Sequence, residues 1–292
     1  MAGGAIQGER RGTIERWWVS GRWVPTAFAV VLGLVAIVMI YPFVWLVFSS
    51  FKTSADIIHL PVQVLPRDWS LDGFRLVWSK SDLPRAYANS LGVSAAIVAS
   101  TLFTSSLGGY VFARLNFPGR QLLFYFILST TMVPFVTLLI PLYLVMLDLK
   151  LLNSYAALWL PGAVSSFGIF LCRQFIYGIP QDLYDAAKLD GASDFAIYHQ
   201  IILPLIRPVL SALAIFSFLS SFNSYLWPLV VLNDQKLYTL PLVLVQITST
   251  MGGSNYQAVM AGSLLACIPT IVVFAVFQRN FVRGIALSGV KG

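Results

Sequence analysis

The sequence predicts an all-α polytopic membrane protein with six transmembrane helices, and three observations carry that expectation. Of 292 residues, 58% are hydrophobic and 11% are charged, where soluble globular chains average about 25% charged. The mean hydropathy is +0.78, too apolar for a water-facing surface of this size. Six stretches, 23–51, 86–113, 121–147, 151–172, 208–233 and 237–278, contain no Asp, Glu, Lys or Arg, and a helix needs roughly 20 apolar residues to cross hydrocarbon. Intrinsic disorder and secreted disulfide scaffolds are excluded. Cys172 and Cys267 sit in apolar runs as small buried hydrophobes, and His59 and His199 make no metal-site pattern. There are 19 Lys+Arg against 12 Asp+Glu, a net charge of +7. The positive residues are scattered at the edges of apolar runs, which argues for membrane topology and against nucleic acid.

Taken in chain order, residues 1–24 form an N-terminal segment whose basic head (Arg10, Arg11, Arg16, Arg22) precedes a first span at 25–50. That run is too long for a signal peptide and has no small-residue cleavage site before Lys52, so it reads as a retained anchor. A segment at 52–85 follows, then spans at 87–112, 121–146 and 155–175. In the 87–112 span, Ser105, Ser106, Gly108 and Gly109 are expected to serve close helix packing, with a polar path as the other use of the two serines. A loop at 176–205 leads to a fifth span at 206–231 and a short extramembrane or interfacial piece at 237–247. The polar break 248–255 must lie outside the bilayer, and the sixth span is 257–279. The six-helix domain thus covers 25–282, and a tail of 283–292 follows. Counting Lys and Arg on the two sides that these spans define gives 12 with the termini, the 113–120 loop and the 176–205 loop against 7 on the other side. Both termini are therefore expected in the cytoplasm.

The 176–205 loop is long for a connection and has a helical pattern of its own. Pro180 and Asp182 start a short helix through Leu183, Ala186, Ala187 and Asp190, and Gly191 is placed to take the left-handed position that stops it. Ser193 can cap a second helix running to the Pro204 that opens the fifth span. As a docking element, Ala186 and Ala187 would admit close approach, Leu183 and Leu189 offer apolar contact, and Asp185, Asp190 and Asp194 offer pairing to a basic partner. Amphipathicity alone equally suits a connector lying on lipid headgroups, although the acidic polar face argues against it. In mid-span, Asn223, Ser224 and Tyr225 are candidates for a polar path, while Trp227 and Pro228 read as an interface anchor and helix break.

The chain has no G-x-x-x-x-G-K-[ST] and no Gly-Lys pair, so nothing in it cradles nucleotide phosphates. No ionisable residue lies at a span centre, which weakens an ion-coupled carrier. Neither histidine lies within a span to serve as the base of a membrane protease.

The stretch 185–191, Asp-Ala-Ala-Lys-Leu-Asp-Gly, followed by Ile-Ile-Leu-Pro at 201–204, resembles the EAA loop of bacterial ABC importer permeases, and Asp-Gly-Ala-Ser at 190–193 resembles its carbohydrate branch. The tail Ala-Leu-Ser-Gly-Val-Lys-Gly at 286–292, Asn-Ser-Tyr-Leu-Trp-Pro at 223–228, the Phe51-Lys52 exit and the 114–119 turn are similar to the smaller-permease group of maltose-type transporters. One departure is Asp185 where that family most often has Glu, which keeps the charge and shortens the reach. The resemblance implies the type I ABC importer permease fold and one half of a heterodimeric pore with a second homologous permease. It implies that 181–194 seats in a cleft of a cytoplasmic ATPase dimer, where ATP and Mg are bound, this chain itself holding no cofactor. It further implies that Ser288, Gly289, Val290, Lys291 and Gly292 reach the ATPase interface. Gly252, Gly253, Ser254 and Asn255 would face an extracytoplasmic solute-binding protein carrying a sugar-like solute. The rival expectations are a secondary carrier, ion-coupled or passive, acting without an ATPase, and a membrane scaffold that only recruits a partner.

Overall fold

The computed structural model describes residues 23–288, with side-chain surroundings for 28–79 and 81–278. The described chain is helical without strands: α1 (Trp23–Ser49), α2 (Ser54–Ile58), α3 (Asp72–Lys80), α4 (Leu83–Arg114), α5 (Arg120–Thr130), α6 (Phe135–Asp148), α7 (Tyr155–Trp159), α8 (Ser166–Tyr177), α9 (Gln181–Leu189), α10 (Asp194–Leu205), α11 (Arg207–Phe222), α12 (Leu226–Val231), α13 (Leu240–Met251) and α14 (Tyr256–Ser288). Four stretches are long and apolar enough to cross a membrane: Phe28–Ser49, Leu83–Arg114, Tyr155–Tyr177 and Tyr256–Gln278. Two bent pairs, α5 with α6 and α10 with α11, bring the number to as many as six if each pair counts as one span.

The body is built on α4. It packs along α8 and α11, and α11 packs in turn along α14. Small residues set these distances. A Cβ on Gly109 would come within 2.5 Å of the Cys172 Cβ, and one on Gly168 would collide with the Ser105 hydroxyl. Ser105, Ser106 and Gly109 therefore serve packing, as the sequence suggests, and Cys172 fills the seam as a fully buried apolar side chain. At the end of α1, Lys52 is 1% exposed. Its ammonium lies 4.3 Å from the Trp45 ring centre and donates to the Gln63 carbonyl, which holds the 59–64 segment against the helix end.

Three expectations need correction. The third span is two helices meeting at 101°, because Pro134 has no N–H to continue α5 and disfavours the helical conformation at Val133. The fifth span stops at Phe222, and Trp227 is a packed core residue whose Nε1 donates to the Ala157 carbonyl at 2.9 Å, with Pro228 buried beside it inside α12. An indole that is buried with its N–H satisfied is no interface anchor. Residues 248–251 are helical, because α13 runs through them to Met251. The 237–247 piece packs Leu240, Val243 and Ile247 into the core with Phe218 and Phe222, so the loop shrinks to 252–255.

Candidate functional site

At one end of α4 the chain builds a helix, turn, helix outside the bundle. Asp182 sits in the first turn of α9 and Lys188 in the last, each complementing the helix dipole. Asp190 ends the helix, Gly191 takes φ +80°, its N–H donates to the Lys188 carbonyl at 3.0 Å, and Ala192 N donates to the Ala187 carbonyl at 3.0 Å. These two bonds form a Schellman closure, which needs the left-handed residue that glycine provides without a Cβ penalty. Ser193 then caps α10, its Oγ accepting from Ala196 N at 3.2 Å. Before Pro204 the helix widens into a π turn over Tyr198–Ile202, and it continues past the proline to Leu205, so the fifth span opens at Arg207.

Asp194 ties the element together. It accepts from Lys188 Nζ at 2.8 Å, from the Tyr184 hydroxyl at 2.8 Å and from the Tyr110 hydroxyl of α4 at 3.4 Å. The hydrogen bond from Lys188, then that from Tyr184, holds its carboxyl below the usual carboxylate range, and the same Asp194 bond raises Lys188 above the ordinary lysine value. Asp194 thus uses one carboxylate oxygen within the element, while its side chain stays 45% exposed. Ala187 is corrected: it is buried among Tyr110, Ile176 and Ile197, so its small size serves inward packing. Leu189 stands 89% exposed and Leu183 48% exposed, with Asp185, Ala186, Asp190 and Gly191 on the outer surface. The Asp185 carboxylate accepts from Gln181 Nε2 at 3.0 Å one turn earlier. Arg114, read from the sequence as a topology charge and as the start of the 114–119 turn, clamps the entry: its guanidinium donates to the carbonyls of Ile176 at 2.9 Å and Ile179 at 2.6 Å and to the Gln181 side chain.

The opposite end of α4 adjoins 52–85. There α14 begins beside α2, with Ser54 N donating to Gln257 Oε1 at 3.1 Å. Gly252, Gly253, Ser254 and Asn255 close the α13–α14 turn, and Asn255 N donates to the Met251 carbonyl at 2.7 Å.

Between the two ends lies an open cavity of about 460 Å³ walled by α4, the start of α6, the approach to α8, α11 and α12. Its polar lining is hydroxyl groups, including Thr101, Ser217, Ser220, Ser221, Ser224 and Thr239, and its apolar lining includes Phe135 and Trp227. Of the residues proposed from sequence for a polar path, the cavity takes in Ser224. Asn223 lies outside it, with Nδ2 donating to the Leu219 carbonyl of its own helix at 3.0 Å, and Tyr225 is also outside. The spacing of Ser217, Ser220, Ser221 and Ser224 on one helical face is the signal that could have found the wall.

A bundle of bent and straight apolar spans around a hydroxyl-lined cavity, with a capped helix pair standing clear of it, has the architecture of a membrane transport component. The chain belongs to the family described as binding-protein-dependent transport system inner membrane component, whose model matches residues 102–287. It is 36% identical over 263 residues to the arabinooligosaccharides transport system permease protein AraQ of Halalkalibacterium halodurans, covering 89% of this chain and 94% of that protein. It is 37% identical to the lactose transport system permease protein LacG of Rhizobium radiobacter, covering 89% and 94%. To the sn-glycerol-3-phosphate transport system permease protein UgpE of Brucella abortus it is 33% identical, covering 87% and 93%. Among solved structures, a bacterial ABC transporter involved in the import of the acidic polysaccharide alginate matches with a TM-score of 0.79 at 26% identity, over 90% of this chain and 98% of that one. The protein is thus a permease component of a binding-protein-dependent ABC importer, and a multi-pass protein of the bacterial inner membrane.

Proposed function

We propose that this chain is one half of a heterodimeric pore that imports a sugar by alternating access, driven by ATP hydrolysed in a separate subunit. The observation that carries the coupling part of the reading is the α9–α10 element. Its two helices are fixed to each other by the Gly191 turn, by Ser193 and by Asp194, while Leu183, Asp185, Ala186, Leu189, Asp190 and Gly191 remain on its outer surface. A rigid, apolar-tipped knob of this kind suits a cleft in a cytoplasmic ATPase dimer that holds the ATP and Mg. When that dimer closes, the movement passes through α9 and α10 into α11, and the pore turns from inward-facing to outward-facing as a binding protein releases its sugar. Hydrolysis resets it.

Sidedness follows from the Lys and Arg count, with both termini and the α9–α10 element in the cytoplasm. The turn at 252–255 then faces the binding protein, on the same side as 52–85. Of the tail assigned to the ATPase interface, Ser288 ends α14, and Gly289, Val290, Lys291 and Gly292 lie outside the described residues. The sugar class is supported by the arabinooligosaccharide and lactose permeases among the relatives.

Affinity purification of the chain from its native membranes in mild detergent tests the reading. A second homologous permease and a P-loop ATPase are expected to travel with it, and the reconstituted assembly is expected to take up sugar only with ATP and binding protein. Flux through the isolated chain in liposomes without any ATPase would instead establish a secondary carrier.

A further inference from the structure

The cavity contains hydrogen-bonding capacity that the fold leaves unused. In α4 the one lining hydroxyl, Thr101, donates to the Gly162 carbonyl at 2.9 Å, and next to it Ser100 donates to the Ala96 carbonyl at 2.8 Å and Thr104 to the Ser100 carbonyl at 2.8 Å. Bonding back to carbonyls of the same helix is the usual behaviour of helical serine and threonine. Ser105 Oγ, outside the cavity lining, is buried without a partner among the described residues. Ser217, Ser220 and Ser224 make no side-chain hydrogen bond among the described residues, and the Thr239 Oγ1 is buried without a partner. Beside these groups stands the Phe135 ring, 48% exposed and held edge-on to Trp227 with centroids 6.2 Å apart. No lining residue is Asp, Glu, Lys, Arg or His. The N-terminus of α8 borders the space but is already capped, since Ser165 Oγ accepts from Gly168 N at 3.0 Å.

We propose that this cavity is a binding site, on this chain itself, for an uncharged sugar, whose hydroxyls bond Ser217, Ser220 and Ser224 and whose apolar ring face rests on Phe135. The inference rests on the importer reading above and narrows its cargo. A neutral sugar exchanges its hydration for protein hydroxyls bond for bond. A phosphorylated or uronic sugar would bring an anion to walls that supply no cation to replace the hydration it gives up where it contacts them. The volume lies in the range of small-molecule sites, about 300–1,000 Å³.

The test uses the complete importer, with partner permease and ATPase, in nanodiscs without binding protein. Saturation-transfer NMR is recorded with four probes: lactose, arabinotriose, sn-glycerol 3-phosphate and an alginate trisaccharide. Lactose or arabinotriose is expected to receive saturation and the two anions none. The Ser217→Ala/Ser220→Ala pair is expected to weaken that binding about tenfold, at a few-fold for each lost hydrogen bond. Ser129→Ala, whose hydroxyl on an exposed face bonds the Phe126 carbonyl, is expected to leave it unchanged. Binding of the anions at least as strong as that of the neutral sugars, or binding indifferent to the serine pair, would overturn the inference. ATP-driven, binding-protein-dependent uptake is measured alongside. Uptake confined to an anionic sugar would sink the charge inference and leave the importer reading standing, whereas no ATP-driven uptake at all would remove both.

Discussion

The α9–α10 element and the cavity both carry polar side chains, charged in the first and hydroxyl-bearing in the second, and use them in opposite ways. In the helix pair the side chains close on one another: Ser193 caps α10, Asp194 gathers Lys188, Tyr184 and Tyr110, and Arg114 ties three acceptors at the entry. What is left facing outward mixes apolar and acidic groups, with Leu189 and Leu183 beside Asp185 and Asp190. In the cavity the apolar packing lies behind and the hydroxyls of Ser217, Ser220 and Ser224 face open space unpaired. A surface that must transmit force gains from having its polar groups satisfied within itself, because each internal bond fixes a geometry. A surface that must release what it binds gains from modest neutral groups that water can re-cover when the ligand leaves.

Four substitutions or titrations can break or sharpen that contrast. The largest effect is expected from Gly191→Val. A β-branched residue at φ +80° is strained by about 1–3 kcal/mol, so the ATPase should be lost on co-purification while the chain still inserts; undiminished ATPase recovery would show that the turn is not the docking geometry. Next, Ser193→Ala removes the α10 cap, worth about 1 kcal/mol, and should speed amide exchange at Ala196 and Ile197 ahead of the rest of the chain. Third, Thr239→Val exchanges a buried unpartnered hydroxyl for a methyl group. Thermal melting of the purified chain should show no loss, or a gain of up to about 1 kcal/mol, the opposite sign to Ser193→Ala. A clear destabilisation would mean that Thr239 has a partner in the assembly.

The smallest effect concerns pH. The depressed pKa of Asp194 means its contribution is fully present above the unfolded carboxylate value, about 3.9, and is lost as pH falls through the folded value below it. The raised pKa of Lys188 means its contribution is fully present below about 10.4 and is lost as pH rises through the folded value above it. The melting difference between the native chain and Asp194→Asn should therefore stay level from about pH 5 to pH 9 and shrink in acid. Both partners are largely solvated, so the difference should be small and should fall further with added salt.

The two regions also differ in how readable they were. The helix pair was legible because its geometry is local: a Ser cap, a Gly at the one left-handed position and a proline downstream can all be read within 25 residues of sequence. Partner preference within it was less so, since whether Ala187 and Asp194 face in or out depends on Tyr110 and Ile176 in other helices. The cavity is assembled from several elements, and of its hydroxyls the sequence pattern marks only Ser224. A charge-free run looks the same whether it crosses straight or folds back, so the 101° turn between α5 and α6 was hidden, although Pro134 marked its place. The polar run 248–251 has the composition of a loop because Thr and Ser are poor span formers, yet the helix through them is kept by Ile247 and the residues packed under α13.

One dimension of the bundle has a mechanical consequence. At 32 residues α4 is about 48 Å long, against roughly 30 Å of hydrocarbon. It reaches from the neighbourhood of the 52–85 segment to the Arg114 clamp under α9 without a proline beyond its first turn. Under the alternating access proposed above, such a rod would act as a lever, with its pivot where Ser105 and Gly109 lie closest to α8. From that contact the arm back to Leu83 is about 33–39 Å long and the arm to Arg114 only about 8–14 Å, so a tilt of about 10° that moves the Arg114 end by about 2 Å would swing the far end by about 6 Å, and a small displacement at one face of the membrane is geometrically enough to open or shut a passage at the other.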